Sequence, residues 1–198
     1  MTDHQRAIPK PDLTGSDLLA GSLIVQFLRA PALVGGIVPS SPVLAGALSR
    51  HAAGFEAIVE LGAGTGAVTR CLAREHPRAA LTVIEREPAL ARRVAAVCDT
   101  ARVRIGCVHE RADDLLVQPA HCVAVSSLPF RSLPRDVAVL TTATIEDFLL
   151  AHPARRLVQY SYGLRTPFAL HDPRLAWRRV ERVWRNVPPA VVWIAGRR

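Results

Sequence analysis

The sequence predicts an α/β protein with a doubly wound, mostly parallel sheet of seven strands. Three observations carry that expectation. From residue 55 onward, short apolar runs alternate with amphipathic stretches, the order that builds strands linked by crossover helices. A turn with glycine at positions 62, 64 and 66 follows the first apolar run directly, as in sheets that bind ligands at their carboxyl edge. Aromatic residues make up only 5% of a chain that is 49% hydrophobic, a composition suited to helices packed on a buried sheet more than to a β-sandwich. A length of 198 residues allows one sizeable core and predicts a single α/β domain.

Each element has its own local signal. Residues 1–12 read as a loose tail. Residues 14–30, "TGSDLLAGSLIVQFLRA", place apolar side chains at 19, 20, 23, 24, 27 and 28, one face of an amphipathic helix. Ser41 can cap a further helix that opens on Pro42, a favoured first position for proline. "FEAIVEL" then reads as a buried strand, "AVTRCLAREH" as a helix, "ALTVIER" as a strand and "PALARRVAAVCD" as a helix. "RVRIGCV" and "HCVAVSS" give the third and fourth strands, "DVAVLTTATIEDFLLAH" a helix, and "RRLVQYSYG" the fifth strand. "LAWRRVERVWRN" and "AVVWIAGRR", on either side of Val187-Pro188-Pro189, read as a terminal hairpin.

Charge is unevenly placed. The formal net charge is +8, and residues 151–198 hold ten arginines against two acids. Such a face can meet anionic lipid headgroups or nucleic acid through the same long-range attraction. Cys71, Cys98, Cys107 and Cys122 form no C-x-x-C pair and no zinc spacing, so they read as small apolar residues of a reducing compartment, with no metal expected. No secretion signal is visible at the start, and the apolar stretch from Leu18 to Leu28 is too short to span a bilayer. A cytoplasmic protein is expected, with any membrane contact peripheral.

Chemistry concentrates at the glycine turn. Gly62, Gly64 and Gly66 close a strand and open a helix, where absent Cβ atoms let a ligand approach the main chain. Glu60, just before the first of them, would repel a diphosphate and suit a cationic ligand. Glu85 ends the second strand, where a carboxylate can accept both ribose hydroxyls of a nucleoside. Together these features resemble the S-adenosylmethionine site of class I methyltransferases, a Rossmann-like superfamily. That resemblance implies further cofactor contacts from Thr65, Arg86 and Ser127, and an adenine contact in "HERADDL" from Asp113 with Ala112 beside it. Arg111 stands where the superfamily pattern has an acid.

The blocks "FLRAPALVGGIVPSSPVLAGAL", "VELGAGTG", "VIEREP", "VSSLPFRSLP", "QYSYGLRTP" and "RNVPPAVVW" are similar, in the same order, to blocks of bacterial phospholipid N-methyltransferases. Those enzymes convert phosphatidylethanolamine to phosphatidylcholine. The resemblance implies a phospholipid substrate at an anionic membrane surface on the inner face of the cytoplasmic membrane. It also implies an N-terminal extension, residues 1–50, that lies on the membrane or closes as a lid, and a methyltransferase domain over 51–198. Ser127-Leu128-Pro129-Phe130 has the shape of the strand end whose carbonyls face the methyl-accepting nitrogen. Catalytic candidates are Tyr162 and Tyr160, which strand alternation places on one face and whose rings favour methylated ammonium groups, together with Ser126. Ser40, Leu128, Pro129, Phe130, Arg165 and His171 are the substrate-side candidates. Ornithine-type aminolipids fit the same pattern, and so in outline does ribosomal RNA adenine. The RNA enzymes usually carry asparagine in place of Ser127 and an added C-terminal helical domain, which ranks nucleic acid below lipid. A membrane-binding protein without turnover is the remaining alternative.

Overall fold

The structure, a computed structural model, describes residues 41–198. The expected helix over 14–30 and the Ser40 candidate lie outside the described residues.

Helix α1, Pro42–Arg50, is capped as the sequence predicts: Leu44 N donates to Ser41 Oγ at 3.2 Å, and proline stands in the first turn. Strand β1 (Ala57–Leu61), helix α2 (Ala67–Glu75), β2 (Ala80–Glu85), α3 (Pro88–Val97) and β3 (Arg102–Ile105) follow. A 3-10 turn at His109–Arg111 runs into the short helix α4 (Ala112–Leu116), then come β4 (Cys122–Ser126), α5 (Arg135–Ala151), β5 (Arg156–Tyr162), β6 (Leu175–Val183) and β7 (Ala190–Arg197).

The seven strands form one sheet in the order β3-β2-β1-β4-β5-β7-β6. The first five pair in parallel, and β7 runs antiparallel to both β5 and β6. The terminal hairpin expected from sequence is therefore present, with β6 at the sheet edge. Parallel strands are covered on both faces, so β1 and β4 are buried throughout. On one face Ile58, Val83, Val125 and Val158 pack with Leu44 and Leu48 of α1, Leu72 of α2 and Val94 of α3. On the other, Val59, Leu61, Ala124 and Leu157 pack with Ile145, Phe148 and Leu149 of α5.

Two sequence expectations change. A division at residue 50 would place α1 with the N-terminal extension, yet Leu44, Ala47 and Leu48 are wholly buried in the sheet's core; α1 belongs to the α/β unit. The third strand stops at Ile105 instead of reaching Val108, because Gly106 turns the chain at φ +149°. Cys71, Cys98 and Cys122 are buried free thiols, and burial pushes that of Cys122 up to about 12. Among the described residues no helix is long and apolar enough to cross a membrane.

Because Leu48 has 0% exposure, Leu48→Ala should destabilise the fold by about 2–5 kcal/mol. Urea unfolding should show a lower midpoint with an unchanged slope, and an unaltered midpoint would remove α1 from the core.

Candidate functional site

Strand order reverses between β1 and β4. After β1 the chain leaves into α2 on one face, and after β4 into α5 on the other, so the carboxyl edge between them opens into a crevice. Side-chain alternation then sorts the candidates. Glu60, Glu85, Tyr160 and Tyr162 fall on the α1–α2 face, in phase with Ile58, Val83 and Val158, whereas Ser126 and Gln159 fall on the α5 face.

The glycine turn is built for close approach. Gly62 and Gly64 adopt φ +78° and +54°, which side-chain-bearing residues avoid. A Cβ on Gly62 would lie 2.8 Å from Leu128 Cδ2 and push that side chain aside, so the positive φ is the stronger constraint there; one on Gly64 would meet nothing within 4 Å and would fill open space. Gly64 N donates to Glu85 Oε2 and Glu87 N to Glu85 Oε1, both at 2.9 Å. Glu85 thus stands directly over the turn, with its carboxylate held by two backbone amides. Gly66 opens α2, and the Thr65 carbonyl accepts from Arg70 at 3.3 Å.

Glu60 has 0% exposure, and among the described residues neither its oxygens nor the buried hydroxyl of neighbouring Thr69, in the first turn of α2, completes a hydrogen bond of normal geometry. Burial pushes the Glu60 carboxyl up to about 7, the hydroxyl and amide of Thr69 pull it partly back, and the neighbouring Glu85 carboxylate raises it further. An unpaired buried carboxylate beside a bare main chain fits a ligand bearing positive charge or N–H donors.

The segment after β4 supplies more unpaired polar atoms. Ser127 N donates to Leu61 O at 3.0 Å, which holds the strand end against β1, while the buried Ser127 hydroxyl has no partner among the described residues. The Leu128 carbonyl is already engaged by Phe130 N at 3.0 Å and by Gln159 Nε2 at 3.2 Å, and that of Pro129 by Ser132 N at 2.7 Å. Those two carbonyls therefore hold the turn. Ser126 is fully buried, and its hydroxyl accepts from Leu128 N at 3.3 Å. Phe130 stacks on Phe168 at 4.1 Å and packs on the α5 side.

Tyr160 and Tyr162 meet edge to face at 5.5 Å. Burial raises the Tyr162 phenol, while the side chains of Asn186 and Tyr160 beside it pull it down; among the described residues its hydroxyl completes no hydrogen bond of normal geometry. Asn186, 2% exposed, accepts from Ser41 Oγ at 2.6 Å and donates to Pro188 O at 2.7 Å. It ties the β6–β7 turn to the start of α1 beside the tyrosines. The asparagine-valine-proline-proline block marks Asn186 in the sequence without giving it a role. Gln159 escapes sequence reasoning as well, although a lone amide inside an apolar strand is the signal to look for.

Other candidates fall outside this cluster. Asp113 is exposed at the start of α4 and makes no side-chain hydrogen bond or ion pair among the described residues; Ala112 begins the same helix. In that loop Glu110 accepts from Cys107 N at 2.7 Å, and Arg111 donates to the Ile105 carbonyl at 2.7 Å through Nε, closing the turn. Cys107, His109 and Glu110 also bring one metal-ligating atom each within 4.8 Å of one another, a grouping that cysteine-pair spacing does not reveal. Arg86 is exposed, close enough to Cys107 and Glu110 to favour their charged forms. His171 is tied through its backbone to Glu146 of α5, on the face opposite the tyrosines, and Arg165 is exposed in the loop after β5.

No family model matches the chain. Over 70 residues, 34% of its length, it is 39% identical to the ornithine lipid N-methyltransferase of Singulisphaera acidiphila, and that stretch spans 36% of the relative. The solved 1,6-didemethyltoxoflavin-N1-methyltransferase of Burkholderia thailandensis, with bound 1,6-didemethyltoxoflavin and S-adenosylhomocysteine, is similar over 97% of this chain and 93% of its own, at TM-score 0.62 and 16% identity. An O-methyltransferase of Bacillus cereus in complex with S-adenosylhomocysteine is similar over 94% and 93%, at TM-score 0.57 and 13% identity. The structural likenesses show the doubly wound, Rossmann-like α/β fold expected from sequence.

The raised Glu60 carboxyl makes stability depend on pH. It keeps its proton to about 7 in the folded chain, against 4.5 for an unperturbed glutamate, so folded stability should fall as pH rises through that window, by about 3 kcal/mol in all. Glu60→Gln should remove that loss: its stability advantage over wild type in urea unfolding should be larger at pH 8 than at pH 5. An equal difference at both would show that the carboxyl is not titrating dry.

Proposed function

We propose that this chain is an S-adenosylmethionine-dependent N-methyltransferase acting on the headgroup amine of a membrane aminolipid, phosphatidylethanolamine or its methylated derivatives, towards phosphatidylcholine. The observation that carries this reading is the buried Glu60 carboxyl, which completes no hydrogen bond of normal geometry among the described residues, beside the bare Gly62–Gly66 turn. A pyrophosphate would be repelled there, whereas a sulfonium nucleoside with its amino group would relieve the carboxylate. The complexes of the structural neighbours with S-adenosylhomocysteine and the name of the lipid-methylating relative support the same assignment.

The residues divide the work. Gly64 admits the ligand to the main chain, Glu85 would hold ribose hydroxyls, and Glu60 would face the cationic end. The bound cofactor supplies a methyl group activated by sulfonium, so the protein's task is alignment and desolvation. Burial disfavours an ammonium ion, and the Ser127 and Tyr162 hydroxyls, neither of which completes a bond of normal geometry among the described residues, would accept N–H bonds from the neutral amine and turn its lone pair towards the methyl carbon. The proton leaves to water. The Tyr160–Tyr162 pair then stabilises the methylated ammonium product through its ring faces. The enzyme would work as a peripheral protein at the inner face of the cytoplasmic membrane, drawn there by its arginine excess.

The relative favours a second substrate of the same class, an ornithine lipid. Incubation with labelled methyl donor and vesicles containing either lipid, followed by lipid chromatography, should place label in an aminolipid. Label in added RNA and none in lipid would overturn the proposal. Glu85→Ala should weaken S-adenosylhomocysteine binding by about 10–100-fold in calorimetry, the worth of hydrogen bonds to a charged group. Tyr162→Phe should lower kcat while leaving that affinity within about twofold; equal losses in both would move Tyr162 away from the acceptor.

A further inference from the structure

The sheet register brings a second feature to the edge that holds the site. Tyr162 pairs with Ala190 and Ala190 with Val183, so the β6–β7 turn, residues 184–189, projects from the same edge as the end of β5. Its exposed side chains are unusual for a free surface. Trp184 is 64% exposed and Val187 79%, and Leu164, two residues beyond Tyr162, is 62% exposed. Scattered single apolar residues on a surface are ordinary, but three on one edge, with Pro188 and Pro189 exposed directly after Val187, form an apolar rim.

Arginines surround that rim without counter-charges. Arg165, Arg182 and Arg185 are exposed and pair with no acid among the described residues. The two acids of residues 151–198 are already engaged: Glu181 with Arg50 and His51, Asp172 with Arg174. The Arg182 guanidinium lies 3.7 Å over the Trp184 ring, which holds an indole outward and a cation beside it. The tip is also anchored, because buried Asn186 is bonded to Ser41 and to the Pro188 carbonyl.

We infer that the β6–β7 tip is a docking surface for an anionic lipid bilayer, with Trp184 and Val187 entering the headgroup boundary while Arg182 and Arg185 meet lipid phosphates. Tryptophan settles where one side is apolar and the other wet, and each arginine near an anionic surface adds attraction. RNA would use the arginines and the indole but gains nothing from Val187, Leu164 and the prolines, so the apolar half of the rim favours a membrane. The inference names the partner of the lipid-methylating site and rests on that reading; its consequence is that the crevice opens towards the bilayer when the tip is seated.

The test uses the full chain and vesicles of phosphatidylcholine with or without phosphatidylglycerol. A W184A/V187A double variant should sediment with the anionic vesicles about tenfold more weakly than wild type, and R182Q/R185Q should lose the part of the binding that salt removes. Brominated acyl chains should quench wild-type tryptophan emission. They should quench W184F far less, because Trp177 and Trp193 donate their indole N–H groups to Phe168 O and Ser161 Oγ within the fold. Unchanged sedimentation of the double variant, or equal quenching of W184F and wild type, would overturn the docking surface. So would loss of retention on homopolymeric RNA with vesicle binding intact. A separate arm measures methyl transfer to a short-chain aminophospholipid dispersed as monomers: the double variant should match wild type there. No transfer by wild type in that arm would defeat the lipid-methylating reading, whatever the vesicles show about the tip.

Discussion

A carboxylate kept dry at the end of β1 is the constraint around which the rest is arranged. Glu60 sits in the strand flanked by β2 and β4, in register with Val83 and Val125, so its backbone cannot shift to carry the side chain to water. α1 and α2 cover the face it points into. The cost is real: a raised acid destabilises the fold at neutral pH, and Thr69 offsets only part of it. A chain selected for stability alone would place an apolar residue there, since an unpaired buried charge is among the most damaging substitutions known. A burden of that kind at the switch point of a doubly wound sheet is understood if a cationic ligand relieves it.

Pleat parity does the assembling. Glu60, Glu85, Tyr160 and Tyr162 come from three strands yet share a face because they are in phase with Ile58, Val83 and Val158 of those strands. A one-residue slip in any ladder would send one of them to the α5 side. The opposite parity has its own use. Gln159 reaches from the α5 face to the Leu128 carbonyl and Ser126 caps the same turn, so the segment carrying Ser127 is fixed from behind. Site residues and their supports therefore alternate along β5.

Nearly all of the fold was legible because strand and helix periods are properties of the chain itself. The Ser41-Pro42 helix start, the long helix after Pro134 and the terminal hairpin all follow from local rules. What escaped was short or depended on tertiary contact. Helix α4 spans five residues, too few to show a period, and β3 ends early at a glycine whose φ only the turn dictates. The glycine turn, Glu60 and Glu85 were legible as a group because they are tied to strand ends. The bonds that engage the carbonyls of Leu128 and Pro129 were not, because sequence says where a carbonyl lies and nothing about what bonds to it. Asn186 joins elements 145 residues apart through its bond to Ser41, a contact that only the folded chain reveals.

Charge along the carboxyl edge changes sign in one direction. At the β2–β1 side stand two carboxyl groups, Glu85 bonded to amides and Glu60 buried without a completed hydrogen bond among the described residues. Next come the neutral hydroxyls of Ser127 and Tyr162, and beyond β5 the unpaired arginines of the loop and hairpin. A zwitterionic headgroup with its amine inward and its phosphate outward matches that order. Reversed, it would set phosphate against carboxylate and amine against guanidinium, each juxtaposition unfavourable at close range. The same order explains why arginine excess near the site need not imply a phosphate pocket at the glycine turn. The cations lie on the far side of the tyrosines, where a lipid's phosphate would be, while the turn itself remains the domain of Glu60 and Glu85.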